Sequence, residues 1–102
     1  MIAHVVMMRL APGHDTGELA AVMEGLGQVM GRLSGALGFE HGVNRDYENL
    51  SPGWDAGFIC RFTDAAALAT YAADPEHRAL SQRLLALCAG GLAGLMVIDL
   101  DV

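Results

Sequence analysis

Tyr71 and His77 are separated by Ala72-Ala73-Asp74-Pro75-Glu76, a spacing that sets a phenol and an imidazole on either side of a helix start. Asp74 is a good N-cap, because its short carboxylate can accept the backbone N–H groups that a first turn leaves unpaired. Pro75 fits the first helical position, where its missing N–H costs nothing. His77 then falls at about the third helical position, near the partial positive charge of the helix N-terminus. That field disfavours an imidazolium, so His77 is expected to be neutral and able to accept a proton. The matching chemistry is general base catalysis on an acidic C–H or hydroxyl, an effect typically worth about 10²–10⁴-fold in rate. Tyr71 would supply the donor that stabilises developing charge. Two more residues join this set. His4 interrupts an apolar strand, and Asp99 is an acid in another, which needs a partner if buried. His4 is that partner if the two strands lie close together. Each residue also has a structural reading: His77 as a bonded helix-start residue, Tyr71 as a core lid with its hydroxyl at the rim, His4 as a satisfied core histidine.

The elements that must position these groups follow from periodicity. Ile2, His4, Val6, Met8 and Leu10 alternate with Ala3, Val5, Met7 and Arg9, giving a strand with two largely apolar faces. Pro12-Gly13 breaks it, and Asp15 or Thr16 caps a helix carrying Leu19, Val22, Met23, Leu26, Val29, Met30 and Leu33 at helical spacing. The glycines in this helix weaken it by roughly 1 kcal/mol each relative to alanine, so tertiary packing must hold it. A second strand is expected over 36–45, with Leu37, Phe39, His41 and Val43 on one face. Asp46 to Gly53 reads as a polar turn-rich loop. A third strand, 54–62, alternates Ala56, Phe58, Cys60 and Phe62 against Asp55, Gly57, Ile59 and Arg61. Asp64 caps a short helix ending near Tyr71, and a further helix runs from Pro75 to about Ala89, stopped by Gly90-Gly91. The last strand is expected over 92–102, with Leu95, Val97 and Asp99 opposite in face to Met96, Ile98 and Leu100.

The order is β-α-β-β-α-β in one domain, 1–102: an α+β, ferredoxin-like, four-stranded antiparallel sheet. Helices can cover only one face of such a sheet, yet three strands are apolar on both. The economical solution is a homodimer in which two sheets pack face to face as a barrel. The apolar share of 53% agrees with a surface that a partner covers. A net charge of −6 argues against nucleic acid or anionic membrane as partners. Cys60 and Cys88 lack metal-ligand spacing and read as buried hydrophobes, which suits a reduced, cytoplasmic setting. The apolar start is too short to span a bilayer, and no signal peptide is expected. No phosphate loop, nucleotide fingerprint or zinc motif occurs, so no cofactor and no metal is expected. His41, Asn44, Asp46, Glu48 and Asp55 offer oxygens and an imidazole for a hard cation at a dimer seam, against the plainer reading of a solvated loop. His14, in a turn, is expected to be solvent-exposed.

Five segments in order resemble a known family, the stress-responsive dimeric α/β-barrel (Dabb) domain. They are Ile2-Ala3-His4-Val5-Val6, Gly42-Val43-Asn44, Gly53-Trp54-Asp55, Tyr71 to His77, and Val97-Ile98-Asp99. The resemblance implies a homodimer with a pocket in each subunit between sheet and helices. In a polyketide cyclase of that family, the histidine matching His77 is the base and the tyrosine matching Tyr71 holds substrate or stabilises charge. The residues matching His4 and Asp99 line or support the site. The reaction there is a cofactor-free intramolecular aldol condensation. Two positions depart from the pattern: a usual histidine is Ala56, and the first histidine of the usual His-Pro-x-His is Asp74. The expected function is therefore binding of a small, apolar, oxygenated molecule, with cyclase- or isomerase-like acid–base chemistry. The alternatives are a non-catalytic, stress-related or structural dimer and a cofactor-free monooxygenase on the same architecture.

Overall fold

Strand alternation puts β1, Ile2–Met8, in the middle of the sheet in the computed structural model, which describes all of residues 1–102. The following elements are α1 (Thr16–Arg32), β2 (Ala36–Val43), β3 (Ala56–Phe62), α2 (Ala65–Ala73), α3 (Pro75–Leu87) and β4 (Leu95–Asp101). The sheet order is β2-β3-β1-β4, with every neighbouring pair antiparallel, which is the ferredoxin-like arrangement expected.

The helices lie on one face. Asp15 caps α1 by accepting from the Glu18 backbone N–H at 3.0 Å. Val22, Leu26 and Val29 then face Met8, Phe58 and Phe62 in one cluster of fifteen buried side chains. α1 packs on β2 and on α3. Gly25 makes the second contact possible: a Cβ there would sit 2.8 Å from a Leu80 methyl carbon.

The other face has no helix. It carries Ala3, Val5 and Met7 of β1, Ile59 of β3, and Met96, Ile98 and Leu100 of β4, with Ile98 41% and Leu100 50% exposed. Its charged residues are Glu40 and Arg61, paired at 3.7 Å. No helix is long and apolar enough to cross a membrane.

Several local features differ from the sequence expectation. A bulge between Ala36 and Gly38 takes Leu37 out of the alternation, so it lies exposed rather than beside Phe39 and His41. β2 ends at Val43 and β3 begins at Ala56; just before it the Asp55 N–H donates to the Met8 carbonyl at 2.8 Å and its carboxylate accepts from the Leu10 N–H at 2.7 Å. α3 stops at Leu87, and Gly91–Gly94 winds into a short 3₁₀ turn before β4. His14 is half-buried rather than exposed, with Nδ1 3.1 Å from the Ala11 carbonyl.

Candidate acid–base site under the sheet

Antiparallel register sets His4 directly opposite Asp99, so both side chains leave the helix-facing side of the sheet together. His4 Nδ1 stands 2.6 Å from Asp99 Oδ1, a short contact of the charge-assisted kind. A carboxylate only accepts, so the proton of a neutral His4 ring belongs on Nδ1 and the lone pair on Nε2. The pair sits at the sheet's edge, with the His4 side chain 14% and Asp99 46% exposed.

Tyr71 reaches the same region from the end of α2. It is 1% exposed, with its ring 6.1 Å from that of His4 and 5.2 Å from that of Phe62. Its hydroxyl accepts from the Cys60 thiol at 3.8 Å. Burial, and then the neighbouring thiol, push the phenol's pKa far up, so Tyr71 is a neutral hydroxyl at any physiological pH.

Asp74 ends α2 and starts α3. Its carboxylate accepts from the His77 backbone N–H at 3.0 Å, as the cap reading requires. The His77 ring lies against Tyr71, centroids 4.0 Å apart. Nε2 shares a hydrogen bond with Ser81 Oγ at 3.1 Å, while Nδ1 is buried with no group in hydrogen-bonding geometry. His77 is held below the ordinary histidine range, as expected, but burial is the main cause. The Ala72 carbonyl opposes that shift, His4 adds to it, and Asp74 opposes it. At neutral pH the ring is therefore uncharged.

The four expected residues thus converge: a neutral imidazole and a neutral phenol in contact, with a carboxylate-backed imidazole beside them. Three partners were not singled out in the sequence. Ser81 follows His77 by four residues on one helix face, a spacing that could have revealed it. Cys60 and Arg32, the latter bonded to Asp74 at 2.7 Å, are brought in by tertiary structure alone. None of the five main surface hollows is lined by His4, Tyr71 or His77. The hollow of about 310 Å³ lies between α1 and the sheet at Met8, Met23, His41 and Ala56, and one of about 250 Å³ lies over Gly42 and Gly57 on the uncovered face.

Three of the residues weighed for a cation, Asn44, Asp46 and Asp55, are committed to hydrogen bonds within the chain. Asp46 Oδ1 accepts from the Leu50 and Ser51 backbones and from the Ser51 hydroxyl, which hold its carboxyl below the usual range. The Asn44 amide donates to Ser51 and to the Trp54 carbonyl. No group of three or more histidine, cysteine or acidic side chains stands close enough to hold a metal ion.

The architecture defines a ferredoxin-like α+β domain with a histidine–tyrosine cluster between its sheet and helices. A family model described as the stress responsive A/B barrel domain matches residues 2–102, and the chain belongs to that family. No functionally curated protein matches it. A dimeric ferredoxin-like protein of unknown function from Jannaschia sp. CCS1 is 37% identical, with a TM-score of 0.94 over 99% of this chain and 98% of that one. Hydroxynitrile lyase from Passiflora edulis is 11% identical, with a TM-score of 0.83 over 99% and 92% of the two chains. SnoaB, a cofactor-independent oxygenase from Streptomyces nogalater, is 16% identical, with a TM-score of 0.77 over 99% and 91%. At the identities of the last two, the likeness is one of fold.

Proposed function

We propose that the chain acts as a homodimer that binds a small, largely apolar, oxygenated molecule and moves a proton on it without a cofactor, in a reaction of the cyclase or isomerase type. The observation that carries this reading is His77 Nδ1, the chain's one buried side-chain nitrogen or oxygen with no partner in good hydrogen-bonding geometry, although the Ala72 carbonyl acts on the ring. Leaving such an atom unpaired costs about 1–3 kcal/mol, and native cores rarely tolerate it without a use. With the proton on Nε2, toward Ser81, Nδ1 presents a lone pair beside Tyr71; with the proton on Nδ1, Nε2 accepts from the Ser81 hydroxyl and is the basic atom. His77 is then the base and Tyr71 the donor to developing charge. His4, oriented by Asp99, forms the supporting side on which the cluster is open to solvent.

The dimer is supported by the apolar sheet face that no helix covers, and by the dimeric relative at 37% identity. Two buried free cysteines suit the reducing cytoplasm. A linear 3,5,7-trioxo acyl thioester, whose C2 carbanion can close a six-membered ring on the C7 ketone, and a β,γ-unsaturated ketone serve as probes for cyclisation and isomerisation. Turnover that drops at least about 10²-fold in His77→Gln supports the base. Turnover unchanged in that variant removes it.

A second reading, a non-catalytic dimer, is favoured by one observation. The Tyr71 hydroxyl is sealed against Cys60, and no main hollow reaches it. Histidine NMR signals that stay fixed throughout such a probe panel, in an intact dimer without turnover, select this reading.

A further inference from the structure

Arg32, in the last turn of α1, reaches the first turn of α3. Its Nη2 donates to both Asp74 oxygens, at 2.7 and 2.8 Å, and to Glu76 Oε2 at 3.0 Å. The same Asp74 carboxylate accepts the His77 backbone N–H, so one acid holds both the guanidinium and the turn that carries the candidate base. Beside that imidazole stands Tyr71 from α2, with His4 of β1 against the same phenol and Asp99 of β4 behind it, and the turn that carries the ring holds Asp74 and Glu76. Two carboxylates within three residues of an imidazole favour its charged form. A guanidinium shared between them offsets part of that pull and also fixes the cap's geometry.

We infer that Arg32 is a positioning residue of the His77 site: it locks the cap that orients the imidazole and offsets the acidic turn that would otherwise draw a proton onto the ring. This rests on the reading of His77 as a base. The test follows the titration of His77 itself, so its failure is distinguishable from an absence of turnover.

The measurement is an NMR titration of the histidine Cε1–H signals, with His77 assigned by its absence in His77→Gln. In Arg32→Gln, at low ionic strength, the His77 midpoint is expected to rise by roughly half a unit or more, as loss of a nearby positive charge demands. Arg32→Lys keeps the charge and is expected to restore most of the original midpoint. Added salt should shrink the difference, because the Arg32 side chain is partly exposed. Should Arg32→Gln fold poorly, Glu76→Gln probes the same balance from the other sign, and its His77 midpoint is expected to fall. A midpoint unmoved in Arg32→Gln, or in Glu76→Gln, would make Arg32 a helix-to-helix clamp only and overturn the inference. So would a lysine variant that shifts as far as the glutamine one.

Discussion

Replacing His77 by phenylalanine should make the protein more stable while abolishing any proton transfer. Phenylalanine keeps a flat ring against Tyr71 and removes both ring nitrogens. Removing the unpaired Nδ1 relieves about 1–3 kcal/mol, and losing the bond between Nε2 and Ser81 costs about 0.5–1.5 kcal/mol. The balance is a gain of about 1 kcal/mol. In a domain near 100 residues, that raises the thermal midpoint by roughly 4–8 °C. The assay is thermal and denaturant unfolding at one fixed protein concentration, since a dimer's stability depends on concentration. The same variant changes the pH response. His77 titrates below its unfolded value of about 6.5, so below that pH the unfolded chain binds more protons than the native one. Native stability therefore falls as pH drops through about 6.5 and ceases to fall, on this account, below the native midpoint. That part of the slope should vanish in His77→Phe. A variant less stable by 1 kcal/mol or more, at an unchanged denaturant slope, would refute the reasoning, because His77 would then be a satisfied structural residue.

Gly25→Ala gains about 1 kcal/mol of helix propensity but drives a Cβ to 2.8 Å from Leu80, where overpacking costs about 1–3 kcal/mol. A net loss of up to about 2 kcal/mol is expected, and Leu80→Val should cost less in that background than alone; strict additivity would show that α1 and α3 do not meet at this glycine. Burial pushes the Cys60 thiol up to about 11, so an aromatic disulfide reagent at pH 8 should modify Cys60 only at the rate of unfolding. Rapid native-state labelling of Cys60 would contradict its place in the core. Ile98→Glu puts a carboxylate on the uncovered face, and light scattering at micromolar concentration should report a monomer in place of the dimer. A dimer of unchanged mass would exclude that face as the seam.

Local signals carried most of the fold. The alternation of Ile2–Met8, the Asp15, Asp64 and Asp74 caps and the Asp74-Pro75 start all act within a few residues, and each appears where the sequence put it. The bulge that displaces Leu37 left no mark, because alternation looks identical until a partner strand imposes its register. Gly90-Gly91 stops α3 as expected, but the turn that their positive φ values begin continues through Gly94, so residues 92–94 do not belong to the last strand. Within the site, His4 and Asp99 could be paired from topology, since β-α-β-β-α-β order makes the first and last strands neighbours. The thiol beside Tyr71 could not, because that contact depends on where α2 crosses β3. The same limit hid Arg32, which lies 42 residues from Asp74.

One strand joins the two halves of the reading. Along β1, Ala3, Val5 and Met7 belong to the uncovered apolar face, while His4, Val6 and Met8 point under the helices. β4 repeats the arrangement, with Ile98 and Leu100 on one side of the sheet and Asp99 on the other. A partner that packs against Val5 and Ile98 therefore restrains the backbone on which His4 and Asp99 are mounted. The bond between those two side chains is short and partly solvent-exposed, so its geometry depends on the strands holding still. Loss of the dimer is then expected to loosen the His4–Asp99 pair before it disturbs Tyr71 and His77. Those two sit on α2 and α3, against a core that does not reach the seam. In the Ile98→Glu monomer, the His4 NMR signal should shift and broaden while that of His77 keeps its wild-type titration. The opposite order would mean that the site is braced from the helices alone.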